Sequence, residues 1–247
     1  MIRELINAFG FLSILPVKNN QSYESGDLGR AAGWFPLVGT VMGLIAAGAN
    51  YLLEFVFPPI VRAVIITALW IALSGGLHLD GLTDSFDGMI NASSSERRLE
   101  IMKDPRMGTF GGIGLVVTIL TKFSIISTVD PLKGVFIFPF VMGVSRWLLL
   151  WAGKQASARP GGMGAEFASG LQPKSFIIGG AFVLLLTAAA FFQTGWVALI
   201  ALLLAHLTAF LIFRVAANRL GGLTGDNFGL IVEISEIIML LSFCAKG

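Results

Sequence analysis

The chain has 247 residues, 55% of them hydrophobic and 13% charged, with a mean hydropathy of +0.81. Soluble domains run to roughly half apolar and a quarter charged, so this balance excludes an ordinary soluble globule and points to a bilayer. A net charge of +2 gives no support for nucleic-acid binding, and a single cysteine, Cys244, excludes an internal disulfide and any multi-cysteine zinc site.

Residues 1–15 carry Glu4, have no long apolar core and run into Pro16 without a small-residue cleavage site. No cleavable signal is expected there, and residues 5–15 read instead as a short interfacial helix. Continuous apolar runs follow at 36–57, 60–79, 109–129, 134–152, 176–192, 196–213 and 228–243. Most approach the roughly 20 residues that a helix needs to cross about 30 Å of hydrocarbon. They are rich in Gly, Ala, Leu and Ile with little period-two alternation, which favours helices over barrel strands. The expected fold is all-α: a polytopic integral membrane helical bundle of about seven transmembrane helices, with residues 1–247 forming one domain.

Basic residues gather in alternate connections. Arg3, Lys18 and Arg30 precede the first run; Arg97, Arg98, Lys103 and Arg106 follow the second; Lys154, Arg159 and Lys174 follow the fourth; Arg214 and Arg219 follow the sixth. The intervening turns hold only Lys133. Positive-inside logic places the N-terminus and the longer segments in the cytoplasm of a cell whose inner (plasma) membrane holds the protein. Cytoplasmic loops at about 80–108, 153–175 and 214–227 are then expected to form the active-site face.

One of these segments carries an unusual concentration of acid. Residues 75–88 read Gly-Gly-Leu-His-Leu-Asp-Gly-Leu-Thr-Asp-Ser-Phe-Asp-Gly. In a helix, Asp80, Asp84 and Asp87 fall at i, i+4 and i+7, on one stripe roughly 10 Å long. Stacked like charges repel unless a cation sits among them, and hard oxygen ligands suit Mg²⁺, Mn²⁺ or Ca²⁺. Solvated helix-end residues explain one aspartate well, but explain poorly three on a face beside Gly75-Gly76 and His78. Gly81 and Gly88 leave room for a ligand or another helix. His78 reads equally as a ligand, a proton carrier or a satisfied polar residue.

The next segment contains Lys103-Asp104-Pro105-Arg106 ahead of a glycine-rich helix start. Lys103 and Arg106 suit phosphate oxygens, Lys as a point charge and Arg by a two-pronged contact, while Asp104 offers a further metal ligand. Topology alone accounts for Arg97 and Arg98. Ser145-Arg146 lies inside the fourth run, where an arginine needs a phosphate or carboxylate partner or must snorkel. Before the last run comes Gly-Gly-Leu-Thr-Gly-Asp (221–226); Glu233 shares a helical face with Asp226, and Glu236 follows three residues on. Carboxylates with Arg and Lys on one membrane face suggest a metal-assisted reaction at a phosphate or pyrophosphate. The residues alone reach that point.

Taken in order, the blocks at 75–88, 102–111, 145–146 and 221–226, with 11–17 and 36–39, resemble the cobalamin synthase (adenosylcobinamide-GDP ribazoletransferase) family over essentially the whole chain. The resemblance implies transfer of the adenosylcobinamide phosphate moiety from adenosylcobinamide-GDP to a ribose hydroxyl of α-ribazole or α-ribazole 5′-phosphate, releasing GMP, with Mg²⁺ as cofactor. By matching positions it implies Asp80, Asp84 and Asp87 as metal ligands, with one of them or Asp104 as base. Lys103, Arg106 and Arg146 would hold phosphates, His78 would touch substrate, and Asp226 would complete the site. The partners implied are these two substrates and the lipid bilayer, with no nucleic acid, and the pattern is compatible with a homo-oligomer. Thr83 and Pro105 depart from the Ala and Ser expected there, and the proline removes one N–H donor from the phosphate segment. A CDP-alcohol phosphotransferase is the nearest alternative, but no Ala-Arg follows Asp87-Gly88. A cation-coupled transporter would instead place acids at mid-membrane on several helices, and gives Lys103, Asp104 and Arg106 no reason to cluster outside.

Overall fold

A computed structural model describes residues 1–17, 24–91 and 94–245, so Lys18 lies outside the described residues. The elements run α1 (Ile2–Leu12), α2 (Asp27–Ala31), a single 3₁₀ turn (Ala32–Trp34), α3 (Phe35–Leu53), α4 (Pro59–Leu73), α5 (Leu77–Ile90) and α6 (Ser95–Ile101), then α7 (Thr109–Thr128), α8 (Pro131–Ala152), α9 (Met163–Gly170), α10 (Pro173–Thr194), α11 (Trp196–Leu220) and α12 (Gly225–Cys244). Among the described residues every named element is helical. Among the described residues six stretches are long and apolar enough to cross a bilayer: α3 with its lead-in, α7, α8, α10, α11 and α12. The α4–α5 pair supplies a seventh if taken as one broken span. The protein is a polytopic helical membrane protein, as its composition requires.

The second apolar run is not one helix. Helix α4 stops at Leu73, Gly75 and Gly76 take φ of +62° and +73°, and α5 departs at 87° to α4. Those positive φ values lie in the left-handed region that glycine enters without a Cβ penalty. Apolar residues continue through the corner to Leu79, so hydropathy counts straight past it. Helix α5 therefore runs across this end of the bundle rather than through it. The segments expected as loops are also more ordered than expected: 80–108 contains most of α5 and all of α6, 153–175 contains α9, and 214–220 are the last two turns of α11. Amphipathic segments that bury one face against the bundle form helices even outside the hydrocarbon.

Helix α8 is the central post, its residues from Ile137 to Leu150 buried throughout. Helix α3 packs on it through Gly39 and Gly43; a Cβ on Gly43 would stand 2.5 Å from Pro139 Cα. Such small residues four apart let membrane helices meet backbone to backbone, where dispersion rather than the hydrophobic effect holds them. Helices α10 and α11 turn Leu184, Leu185, Leu203 and Phe210 outward as a lipid-facing surface. The expected interfacial helix at 5–15 is α1, shifted to Ile2–Leu12. It buries Ala8 and Leu12 and is tied down by Lys174–Glu4 at 2.8 Å and Arg3–Asp27 at 2.9 Å.

Candidate active site

The site is built where α5 crosses the first turn of α12. A Cβ on Gly81 would lie 2.6 Å from the Asp226 carbonyl oxygen, and one on Gly229 would lie 2.5 Å from the His78 carbonyl oxygen. The room left by Gly81 is thus taken by another helix, and the close crossing places Asp226 beside Asp80 and Asp84. Reciprocal capping fixes the start of α12: Thr224 N donates to Asn227 Oδ1 at 2.9 Å, and Asn227 N to Thr224 Oγ1 at 3.4 Å. Asn227 Nδ2 also donates to Ser85 Oγ at 3.0 Å, pinning α12 to α5.

Residues 77–90 form the expected helix, so the aspartates do lie on one stripe. Asp80 is exposed and Asp84 half-buried. Burial, and then the negative charges of Asp226, Asp80 and Asp87, push the Asp84 carboxyl up to about 6, with Arg159 partly opposing. Asp80 and Asp84 stand one turn apart on α5, and the Gly81 crossing sets Asp226 against that turn. Asp226 accepts from Arg159 Nη1 at 3.2 Å and from Thr224 Oγ1 at 3.3 Å.

Asp87 does something else. Its Oδ2 accepts from Gly108 N at 2.7 Å and its Oδ1 from Gly111 N at 2.8 Å, so both oxygens hold the start of α7. The orphan N–H groups of a helix N-terminus are the partners the structure gives this carboxylate. Gly88, likewise, is closed over by Met102 and the Arg98 carbonyl rather than left open to a ligand.

Two cavities flank the stripe. One of ≈ 300 Å³ is lined by Phe11, His78, Asp80, Arg159, Asp226 and Phe228 among others. The other, of ≈ 560 Å³, is lined by Asp80, Asp84, Lys103, Asp104, Pro105 and Met107 among others. Asp80 belongs to both walls. Arg106 stands outside them, exposed, its Nη2 on Asp104 Oδ2 at 2.7 Å and its Nε on Asp104 Oδ1 at 3.0 Å. That pairing lowers the Asp104 carboxyl to about 2, which leaves Asp104 a weak base.

Arg146 finds the carboxylate partner its depth demanded. Its Nη1 pairs with Glu236 and donates to Ser145 Oγ at 2.9 Å. Lys122 Nζ lies 2.6 Å from Glu233 Oε2 and 2.6 Å from Glu236 Oε2, and Trp70 Nε1 donates to Glu236 Oε2 at 2.9 Å. Two cations and two carboxylates balance inside the bundle, joining α4, α7, α8 and α12. Among the described residues the two buried glutamates both lie on α12 and are paired with cations.

Sequence reasoning passed over Lys122, the one charge in the 109–129 run, although Glu233 and Glu236 called for such a partner. It counted Arg159 only toward topology, and it gave Phe11 no role. Phe11 entered only as the first residue of the 11–17 block. Among the described residues, no group of three or more His, Cys, Asp or Glu stands in metal-ligating geometry. The donor chemistry is nonetheless of the kind a hard cation takes, since Asp80, Asp84 and Asp226 present carboxylate oxygens in the walls of the two cavities.

Fold and site together define a polytopic helical membrane protein with two cavities that share Asp80 in their walls and carry acidic side chains. The family described as cobalamin-5-phosphate synthase matches residues 4–244. An adenosylcobinamide-GDP ribazoletransferase of Geotalea daltonii is 35% identical over 100% of this chain and 99% of its own length. One of Pseudomonas aeruginosa (strain UCBPP-PA14) is 38% identical over 98% of this chain and 97% of its own, and one of Desulfitobacterium hafniense (strain Y51) is 35% identical over 97% and 96%. No solved structure matches. The chain belongs to the cobalamin-5-phosphate synthase family, and is a membrane transferase of cobalamin synthesis.

Proposed function

We propose that the protein transfers the adenosylcobinamide phosphate moiety from adenosylcobinamide-GDP to a ribose hydroxyl of α-ribazole or its 5′-phosphate, releasing GMP, with Mg²⁺, at the cytoplasmic face of the inner membrane. The observation that carries this reading is Asp80 standing in the shared wall of two cavities, with Asp84 and Asp226 beside it. A group transfer needs two substrates to meet at one point, and a carboxylate there is placed to take a proton.

Asp84 and Asp226 are the residues suited to hold Mg²⁺, which when bound supplies positive charge to the pyrophosphate oxygens. Asp80 accepts the proton of the attacking hydroxyl. The hydroxyl oxygen bonds to the cobinamide-side phosphorus, the bridging P–O bond breaks, and its electron pair leaves with GMP. Lys103 faces the larger cavity as a point charge for a phosphate oxygen. Asp104 and Arg106, locked to each other, hold the shape of the segment that carries Lys103. The orientation is supported by the basic residues at this end of the bundle, where Arg159 donates to the Leu99 carbonyl at 3.1 Å and Arg98 to the Arg219 carbonyl at 3.2 Å.

The test is turnover by the purified chain in detergent, given adenosylcobinamide-GDP and α-ribazole 5′-phosphate. Mg²⁺-dependent GMP release in step with the joined corrinoid product is expected. Uptake of a solute into vesicles with no GMP release would refute the reading.

A further inference from the structure

The two cavities that share Asp80, a smaller and a larger lobe about it, differ in size, lining and charge, and the difference bears on their occupants. The ≈ 300 Å³ lobe is walled by α1, α5, α8, α9, α12 and the segment between α8 and α9. Its apolar lining includes the rings of Phe11 and Phe228 with Leu77, Leu149 and Met163, and its polar lining is Asp80, His78, Arg159 and Asp226 with small residues. Its volume sits at the low end for sites that enclose a small organic ligand, about 300–1,000 Å³, and suits a mononucleoside. A corrinoid joined to GDP is several times too large and can enter only in part. The ≈ 560 Å³ lobe, with Lys103 and Asp84 and more open, suits its pyrophosphate.

Two residues that line the smaller lobe also hold a polar atom without a partner, each buried behind the lining. His78 is 3% exposed, and its Nε2 is buried with no hydrogen-bond partner among the described residues. Arg159 has committed Nη1 to Asp226 and Nη2 to the Leu99 carbonyl, yet its Nε is buried and unpartnered too. The Arg159 side chain is 22% exposed and lines the cavity, so its guanidinium presents a cationic face there. The two fixed bonds hold the guanidinium in one plane, which favours a bound anion over a passing one.

Resting on the transfer reading above, we infer that the smaller lobe seats the nucleoside acceptor, its aromatic base among Phe11, Phe228 and Met163, its reacting hydroxyl toward Asp80, and its 5′-phosphate on Arg159. Arg159 thereby becomes the residue that distinguishes a phosphorylated acceptor from the free nucleoside. The donor approaches from the larger lobe, and the two meet across Asp80.

The experiment compares kcat/KM for α-ribazole 5′-phosphate and for α-ribazole in wild type, Arg159→Gln and Arg159→Lys, with Mg²⁺ and adenosylcobinamide-GDP present. Loss of one charge-assisted contact is expected to cut the preference for the phosphorylated acceptor about tenfold to a hundredfold in Arg159→Gln, with Arg159→Lys in between. Because the readout is a ratio, a purely structural loss leaves it unmoved. An unmoved ratio, with both acceptors losing alike, overturns the inference. A raised KM for the donor with the acceptor ratio unchanged also overturns it, and puts the donor's guanosine in this lobe. If wild type releases no GMP with either acceptor, the transfer reading itself fails and the inference falls with it.

A second variant works even if Arg159→Gln does not fold. Gly164 lines the smaller lobe, and a Cβ there meets nothing closer than Gly225 N at 3.7 Å, so Gly164→Val is tolerated by the backbone around it. Its branches narrow the lobe and are expected to raise KM for both acceptors at least fivefold while the donor KM holds. Unchanged acceptor KM overturns the assignment.

Discussion

Lys122→Met removes the one cation that touches both buried glutamates while keeping the length of an unbranched side chain. Wild-type Lys122 Nζ lies 2.6 Å from a carboxylate oxygen of each, and all three side chains are almost fully buried. Without it, Arg146 still pairs with Glu236 but Glu233 loses its ion-pair partner, and the cluster passes from neutral to one net negative charge inside the bundle. Deleting one partner of a buried pair costs about 3–5 kcal/mol. In a chain of this length each kcal/mol moves Tm by about 2–4 °C, so the expected drop is about 6–20 °C. The double variant Lys122→Met/Glu233→Gln restores neutrality and is expected to recover at least half of that. Tryptophan fluorescence during heating in a fixed detergent reports the transition, since Trp70 donates directly to Glu236. A single-variant shift within error, or a double variant less stable than the single, would refute the reasoning.

Asp87→Asn keeps the shape but loses an acceptor, leaving Gly108 or Gly111 N–H unbonded. A cost of about 1–3 kcal/mol is expected, with faster amide exchange confined to the start of α7; exchange unchanged there would contradict the anchoring role. The Asp84 carboxyl, raised to about 6 chiefly by burial, predicts a pH-dependent metal requirement. Below that value a proton competes for the carboxylate, so the half-saturating Mg²⁺ concentration is expected to rise about tenfold per pH unit, and to be flat above it. The same raised value means the folded metal-free chain holds the proton more tightly than the unfolded one. The stability contributed by Asp84 is therefore full below about pH 4 and is lost as pH rises through about 6. Titration of the Mg²⁺ dependence of turnover between pH 5 and 8 checks this, and Asp84→Asn should remove the slope.

Hydrophobic runs made most of the bundle legible, because length and composition are local. The corner at Gly75-Gly76 was not, since the residues on both sides are apolar and only a packing partner decides whether a glycine pair bends. The aspartate stripe was read correctly as a helix face, but its division was hidden. Asp80 and Asp84 line the cavities, while Asp87, on the same face, lies under Gly108 and Gly111 from a later helix. Arg146 shows the same limit from the other side. Its burial demanded a counter-charge, and the identity of that charge, Glu236 on α12, depends on two helices meeting. Arg159 looked like any basic residue of a connecting segment until folding set it against Asp226.

The most direct test of the shared acidic site is Asp84→Ala, assayed for GMP release from adenosylcobinamide-GDP with α-ribazole 5′-phosphate across a range of Mg²⁺. The variant is expected to insert and to unfold at close to the wild-type temperature, because Asp84 is half-buried and its charge is opposed by its neighbours. Its turnover is expected to fall at least a hundredfold at every Mg²⁺ concentration. Near-normal turnover with an unchanged Mg²⁺ dependence would contradict the account.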